Sequence, residues 1–101
     1  MEKIKKEVLL LNPTHELKIW PVFFNRVRDG SKTYEVRKND RHFQRGDVVK
    51  LREYDMTSLI NLSSTNHYTG RCLYFKIGFV LPIDGERVVF SLLPIGETAD
   101  E

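Results

Sequence analysis

Between Arg71 and Val80 apolar residues fall on every second position, with Leu73, Phe75, Ile77 and Phe79 on one side. A period of two belongs to a strand with one face against a core, and it excludes a helix there. The same period recurs in shorter runs. In His15–Ile19, Leu17 and Ile19 oppose Glu16 and Lys18. In Lys32–Lys38, Tyr34 and Val36 oppose Thr33, Glu35 and Arg37. In Val48–Tyr54, Val49 and Leu51 oppose Val48, Lys50 and Arg52, and Arg87–Leu93 supplies the last strand. Asn12-Pro13-Thr14, Asn39-Asp40, Arg45-Gly46-Asp47 and Pro82–Gly85 are turn signals between these runs. One segment breaks the pattern. Pro21 opens and Gly30 closes a short helix, with Phe23, Phe24 and Val27 at helical spacing. The expected fold is mixed α/β but mainly β: a small barrel with a short helix between its first two strands.

A chain of 101 residues supplies one domain and one core. The expected layout is a leader over residues 1–14, a domain over 15–93 and an acidic tail over 94–101. Residues 55–70 form a long Ser/Thr/Asn-rich loop inside the domain, and loops of that length are usually functional or mobile. Cys72 is the only cysteine, so no internal disulfide forms, which fits a reducing cytoplasm. The apolar run Val8–Leu11 is too short for a signal-peptide core or a membrane span, so no membrane association is expected. The net charge of +2 is modest but uneven. His15–Tyr54 holds ten Lys or Arg against six Asp or Glu, while Asp84–Glu101 holds one Arg against five acids. This asymmetry favours a polyanionic partner for the first half.

The chemistry concentrates in Gly30–Arg41, where a turn glycine precedes Lys32, Glu35, Arg37, Lys38 and Arg41. Cations interleaved with Tyr34 and Phe43 match what unpaired nucleotides need, because phosphates take cations and bases stack on rings or guanidinium planes. Lys50, Arg52 and Tyr54 continue the pattern. The alternative is a solvated charged sheet face with Tyr34 and Phe43 in the core. Lys32 and Glu35 also pair as a base and its proton relay, or as a structural ion pair. Their odd separation places them on opposite faces of an ideal strand, so Lys32 must sit on the turn for them to meet. His15, His42, His67 and Cys72 lack metal-ligand spacing, and no metal or cofactor is expected.

Gly30-Ser31-Lys32-Thr33-Tyr34-Glu35-Val36-Arg37 resembles the G-x-K-x-x-E-x-R signature of ASCH domains, members of the PUA-like superfamily. His15–Ile19, the Pro21–Gly30 helix, Arg37–Arg41, Phe43, Gly46-Asp47, Leu51–Asp55 and Tyr68–Arg71 resemble the DUF3850 group, small stand-alone proteins of bacteria and their phages. The resemblance spans about residues 15–93 and implies a PUA-like β-barrel with a cleft beside its first helix. It also implies RNA binding, with enzymes among the relatives. One branch is an amidohydrolase on acylated cytidine that uses a lysine, a threonine and a glutamate. Its lysine maps to Lys32, its threonine position holds Glu35, and its glutamate lies in an insertion this chain lacks.

The expected function is therefore an RNA- or nucleotide-binding module, DNA not being excluded. Lys32, Arg37 and Arg41 would hold phosphate, with Arg71 as a further contact. Tyr34, Phe43 and Tyr68 would stack on bases, and Glu35 would orient the cations or accept from a base. The alternatives are a hydrolase on modified nucleosides or RNA, with Lys32 and Glu35 catalytic, and a protein-interaction module acting through the 55–70 loop. The sequence does not set the oligomeric state.

Overall fold

A computed structural model describes residues 12–57 and 67–99. Its elements are β1 (His15–Ile19), α1 (Pro21–Arg28), β2 (Tyr34–Lys38), β3 (Val48–Tyr54), β4 (Tyr68–Pro82) and β5 (Arg87–Ala99). The strands make one five-stranded sheet in the order β1-β3-β4-β5-β2. β1 runs parallel to β3, and every other pairing is antiparallel. The sheet is curled into a half-barrel. Sequence neighbours β1 and β2 therefore occupy its two edges, joined by α1.

The core lies on the concave face. Leu17, Ile19, Val49, Leu51, Leu73, Phe75, Ile77, Val88, Phe90 and Leu92 project into it from the strands, and Phe24 and Val27 from α1. The expected alternation holds in β1 and β3, whose burial switches at every residue. It fails in β4 at Phe79. There the register steps by three residues on β4 against two on β5, from Ile77↔Leu92 to Val80↔Phe90. This bulge hands the inward position to Val80 and turns Phe79 to solvent.

The tail expectation also needs correction. β5 continues through Ala99, with Cys72 opposite Thr98 and Arg71 opposite Ala99. Glu97 pairs with Arg28 of α1 at 2.9 Å. Of residues 94–99 only Glu97 is acidic, and the backbone ladder offered by the long β4 takes the whole stretch into β5. Residues 1–11 of the expected leader and 58–66 of the expected long loop lie outside the described residues.

A buried ion pair fixes α1 to the sheet. Glu53 of β3 accepts a bidentate pair from Arg71 of β4, at 2.9 and 2.8 Å, and a third hydrogen bond from the Thr69 hydroxyl at 2.6 Å. The Arg71 guanidinium lies 4.6 Å from the Phe24 ring centroid and donates to Asn25 Oδ1 at 3.1 Å. Strand and helix thus share one cation. The Arg71 hydrogen bonds outweigh the cost of burial and hold the Glu53 carboxyl below its ordinary value. Since the folded-state value is the lower one, this pair stabilises the fold fully above the ordinary carboxylate range. The stabilisation is lost as pH falls through the folded value. Arg71→Ala strands the Glu53 carboxylate and should cost on the order of 3 kcal/mol in urea denaturation, the low end for a broken buried pair because Arg71 still reaches water. Glu53→Gln should flatten the acid limb of the stability–pH curve.

Candidate functional site

The turn after α1 sets the direction of Lys32. Gly30 adopts φ +84°, a left-handed conformation that ends the helix. Asp29 then accepts from the Ser31 amide at 2.8 Å and from its hydroxyl at 2.6 Å, and these bonds hold the Asp29 carboxyl below its ordinary value. The Lys32 amide returns to Arg26 O at 2.9 Å. Lys32 therefore precedes β2 on a rigid turn, and the odd spacing from Glu35 is no obstacle to contact.

Glu35 is 4% exposed, facing into the curl from an edge strand. One carboxylate oxygen accepts from Lys32 Nζ, the other from Arg37 Nε at 2.8 Å. Lys32 Nζ also donates to Tyr34 O at 2.7 Å. An ammonium has three N–H donors, which leaves one for a ligand. Arg37 reaches further: Nη2 donates to Lys18 O of β1 at 2.9 Å. Arg41 does the same one step along, from Nη1 to Glu16 O at 2.9 Å. Two arginines from the β2 side thus satisfy carbonyls on the free edge of β1, and the seam of the half-barrel is closed by side chains.

Where the seam meets α1 a groove opens, with a cavity of about 330 Å³. Lys18, Ile19, Trp20, Phe23, Lys32, Glu35, Val36 and Arg37 line it. Trp20 is 51% exposed and Phe23 47%, although both are large and apolar. Tyr34 stands at the rim, 47% exposed, with Lys32 Nζ 5.0 Å from its ring centroid. Lys32 Nζ also lies 6.0 Å from the Phe23 centroid. A cavity of this size, mostly apolar with a few convergent charges, has the build of a small-ligand site.

The structure gathers Lys32, Glu35 and Arg37 in this groove, with Tyr34 beside it. The other candidates lie elsewhere. Arg41 belongs to the seam. Phe43, expected to stack on a base, is 6% exposed, with its ring 4.6 Å from His15 and 4.7 Å from Phe90. The turn before β3 folds it into the core, where His15 Nε2 and Asp47 Oδ2, 2.8 Å apart, close over the end. Arg71 is committed to Glu53 and Asn25. Tyr68 lies on the convex face, between the Arg52 guanidinium at 3.7 Å and the Tyr54 ring at 4.9 Å.

Sequence reasoning missed Trp20 and Lys18 as groove residues and grouped Phe23 with Phe24 and Val27 in one apolar stripe. A signal was present. Phe23 and Phe24 are adjacent on a short helix and cannot both face inward, and the core takes Phe24. Among the described residues no group of three His, Cys, Asp or Glu side chains can hold a metal ion, and no helix is long and apolar enough to cross a membrane.

Comparison with known proteins places this architecture in a family. The family described as "Domain of unknown function (DUF3850)" matches residues 14–90, from the start of β1 into β5. An "Uncharacterized 12.9 kDa protein in GpA 3'region" of Escherichia phage P2 is 42% identical over 40 residues, a match covering 40% of this chain and 37% of that protein.

The different placements separate two aromatic substitutions by their effect on stability. Phe43→Ala should cost about 3–5 kcal/mol through the cavity it leaves. Tyr34→Ala at the exposed rim should stay within about 0.5 kcal/mol. Urea denaturation of both variants checks the contrast.

Proposed function

We propose that this chain, which belongs to the DUF3850 family, binds RNA or nucleotides in the groove beside α1. The observation that carries the reading is the half-exposed Trp20 and Phe23 standing beside the Lys32–Glu35–Arg37 cluster in one open cavity. Large apolar rings left in water are the informative kind of exposure. Rings next to cations suit a base joined to a phosphate, since stacking contributes about 1–3 kcal/mol per base and tolerates any base. Lys18, Lys32 and Arg37 hold the anionic part, Trp20 and Phe23 the flat part, and Glu35 keeps Lys32 and Arg37 aimed. On this reading the half-barrel is an ASCH-type, PUA-like domain working in the cytoplasm.

Trp20 is the only tryptophan, so its fluorescence reports on the groove directly. Titration with short RNA oligomers should quench it. With three cations engaged on a single strand, log affinity should fall against log salt with a slope of about −2. Lys32→Ala should weaken binding while leaving the quench at saturation in place. A flat salt response, or RNA that leaves Trp20 emission unchanged, would overturn the proposal.

The contact between Lys32 Nζ and Glu35 favours a second reading: a hydrolase on modified nucleosides or RNA with these two side chains moving the proton. It requires turnover that disappears in Lys32→Ala with unfolding unchanged. Binding without turnover across a nucleoside and RNA panel would leave the binding module alone.

A further inference from the structure

We propose that the groove is one of two adjoining base-binding bays, and that the ligand is a dinucleotide step of single-stranded nucleic acid rather than a mononucleotide. This deepens the binding role proposed for the groove and rests on it. On the other side of Trp20 lies a second cavity of about 370 Å³, lined by Lys18, Ile19, Trp20, Tyr54 and Met56. Lys18, Ile19 and Trp20 line both cavities, so a wall one side chain thick separates them. The second bay repeats part of the chemistry of the first, without its Lys32–Glu35–Arg37 cluster. It has a ring in Tyr54, an apolar flank in the half-exposed Met56, and a cation in Lys18, whose Nζ lies 4.6 Å from the Tyr54 centroid. Trp20 and Tyr54 meet edge to face at 6.4 Å between centroids.

Two flat-walled bays sharing one wall fit two consecutive bases, and a mononucleotide would leave one bay unfilled. The phosphodiester that joins those bases must cross the shared wall. Lys18 is exposed and belongs to both linings, so it stands where that charge passes. α1 begins at the same wall and carries no acidic residue in its first turn, so no fixed anion there opposes the phosphate. Rings and a cation are groups that meet bases and phosphates, so ribose and deoxyribose steps share this chemistry.

The test is calorimetric titration of the full chain with UMP, UpU and dTpdT. The dinucleotides should bind at least roughly 10-fold tighter than UMP, as one added stacking contact provides. Tyr54→Ala should bring dinucleotide affinity down to that of UMP and leave UMP binding unchanged. Tyr54 also packs on Tyr68, so Met56→Glu is the second variant. It places a carboxylate in the second bay from an exposed position and should weaken the dinucleotides alone. Equal affinity for UMP and UpU, or loss of both in the Tyr54 and Met56 variants, would overturn the two-bay assignment while leaving the single groove intact. Failure of all three ligands to bind would remove the groove as a nucleotide site and this inference with it.

Discussion

The Glu35 carboxylate, buried on an edge strand and gripped from both sides, is the contact on which the rest of this architecture turns. A five-stranded curled sheet has two free edges, and unpaired edges invite association with other chains. A closed barrel removes them with a backbone ladder. This chain spans the gap with side chains instead. Glu35 fixes Arg37, and Arg37 caps a β1 carbonyl, with Arg41 repeating the step one residue pair along. Closure by long side chains leaves more space between β1 and β2 than a ladder would. That space, bounded by α1, is the groove.

The two buried glutamates divide the labour. Glu53 meets its partner Arg71 within the sheet and under the helix, where the pair stabilises the seating of α1. Glu35 meets its partners at the mouth of a cavity, where Lys32 keeps a donor in reserve. Burying a carboxylate is expensive unless it is paired and hydrogen-bonded, and in both places the pairing is complete. The difference lies in what each cation faces beyond its partner: a Phe24 ring in one case, an open groove in the other.

Much of this was legible in the sequence because short-range physics fixes it. The β1 and β3 alternations, the Pro21 start and Gly30 stop, and the convergence of Lys32 with Glu35 across a turn all follow from local geometry. What was not legible depended on the sheet as a whole. The bulge that expels Phe79 is a register event between β4 and β5, and no single strand announces it. Residues 94–101 read as an acidic tail because of Glu97, Asp100 and Glu101, until a long partner strand is present to pair residues 94–99. Phe43 sits among charges in the sequence, yet the end of the half-barrel needs a large apolar plug and the nearest turn supplies it. Trp20 escaped notice for the opposite reason, since an isolated aromatic beside a proline reads as core until its exposure is known.

If the groove binds nucleotides as proposed, the same geometry decides which force governs recognition there. Lys32 and Arg37 share one carboxylate, so the groove presents three cations with one charge already offset. Electrostatic attraction is therefore weak and readily screened, whereas ring contacts near 1–3 kcal/mol per base hold at any salt. The pairing also freezes two flexible side chains before any ligand arrives, so less ordering cost remains to be met on binding. On the proposed reading, a site built this way would hold a flat group first and an anion second. Selectivity in the proposed site would then rest on the width and separation of the aromatic walls, and Trp20 lines both cavities.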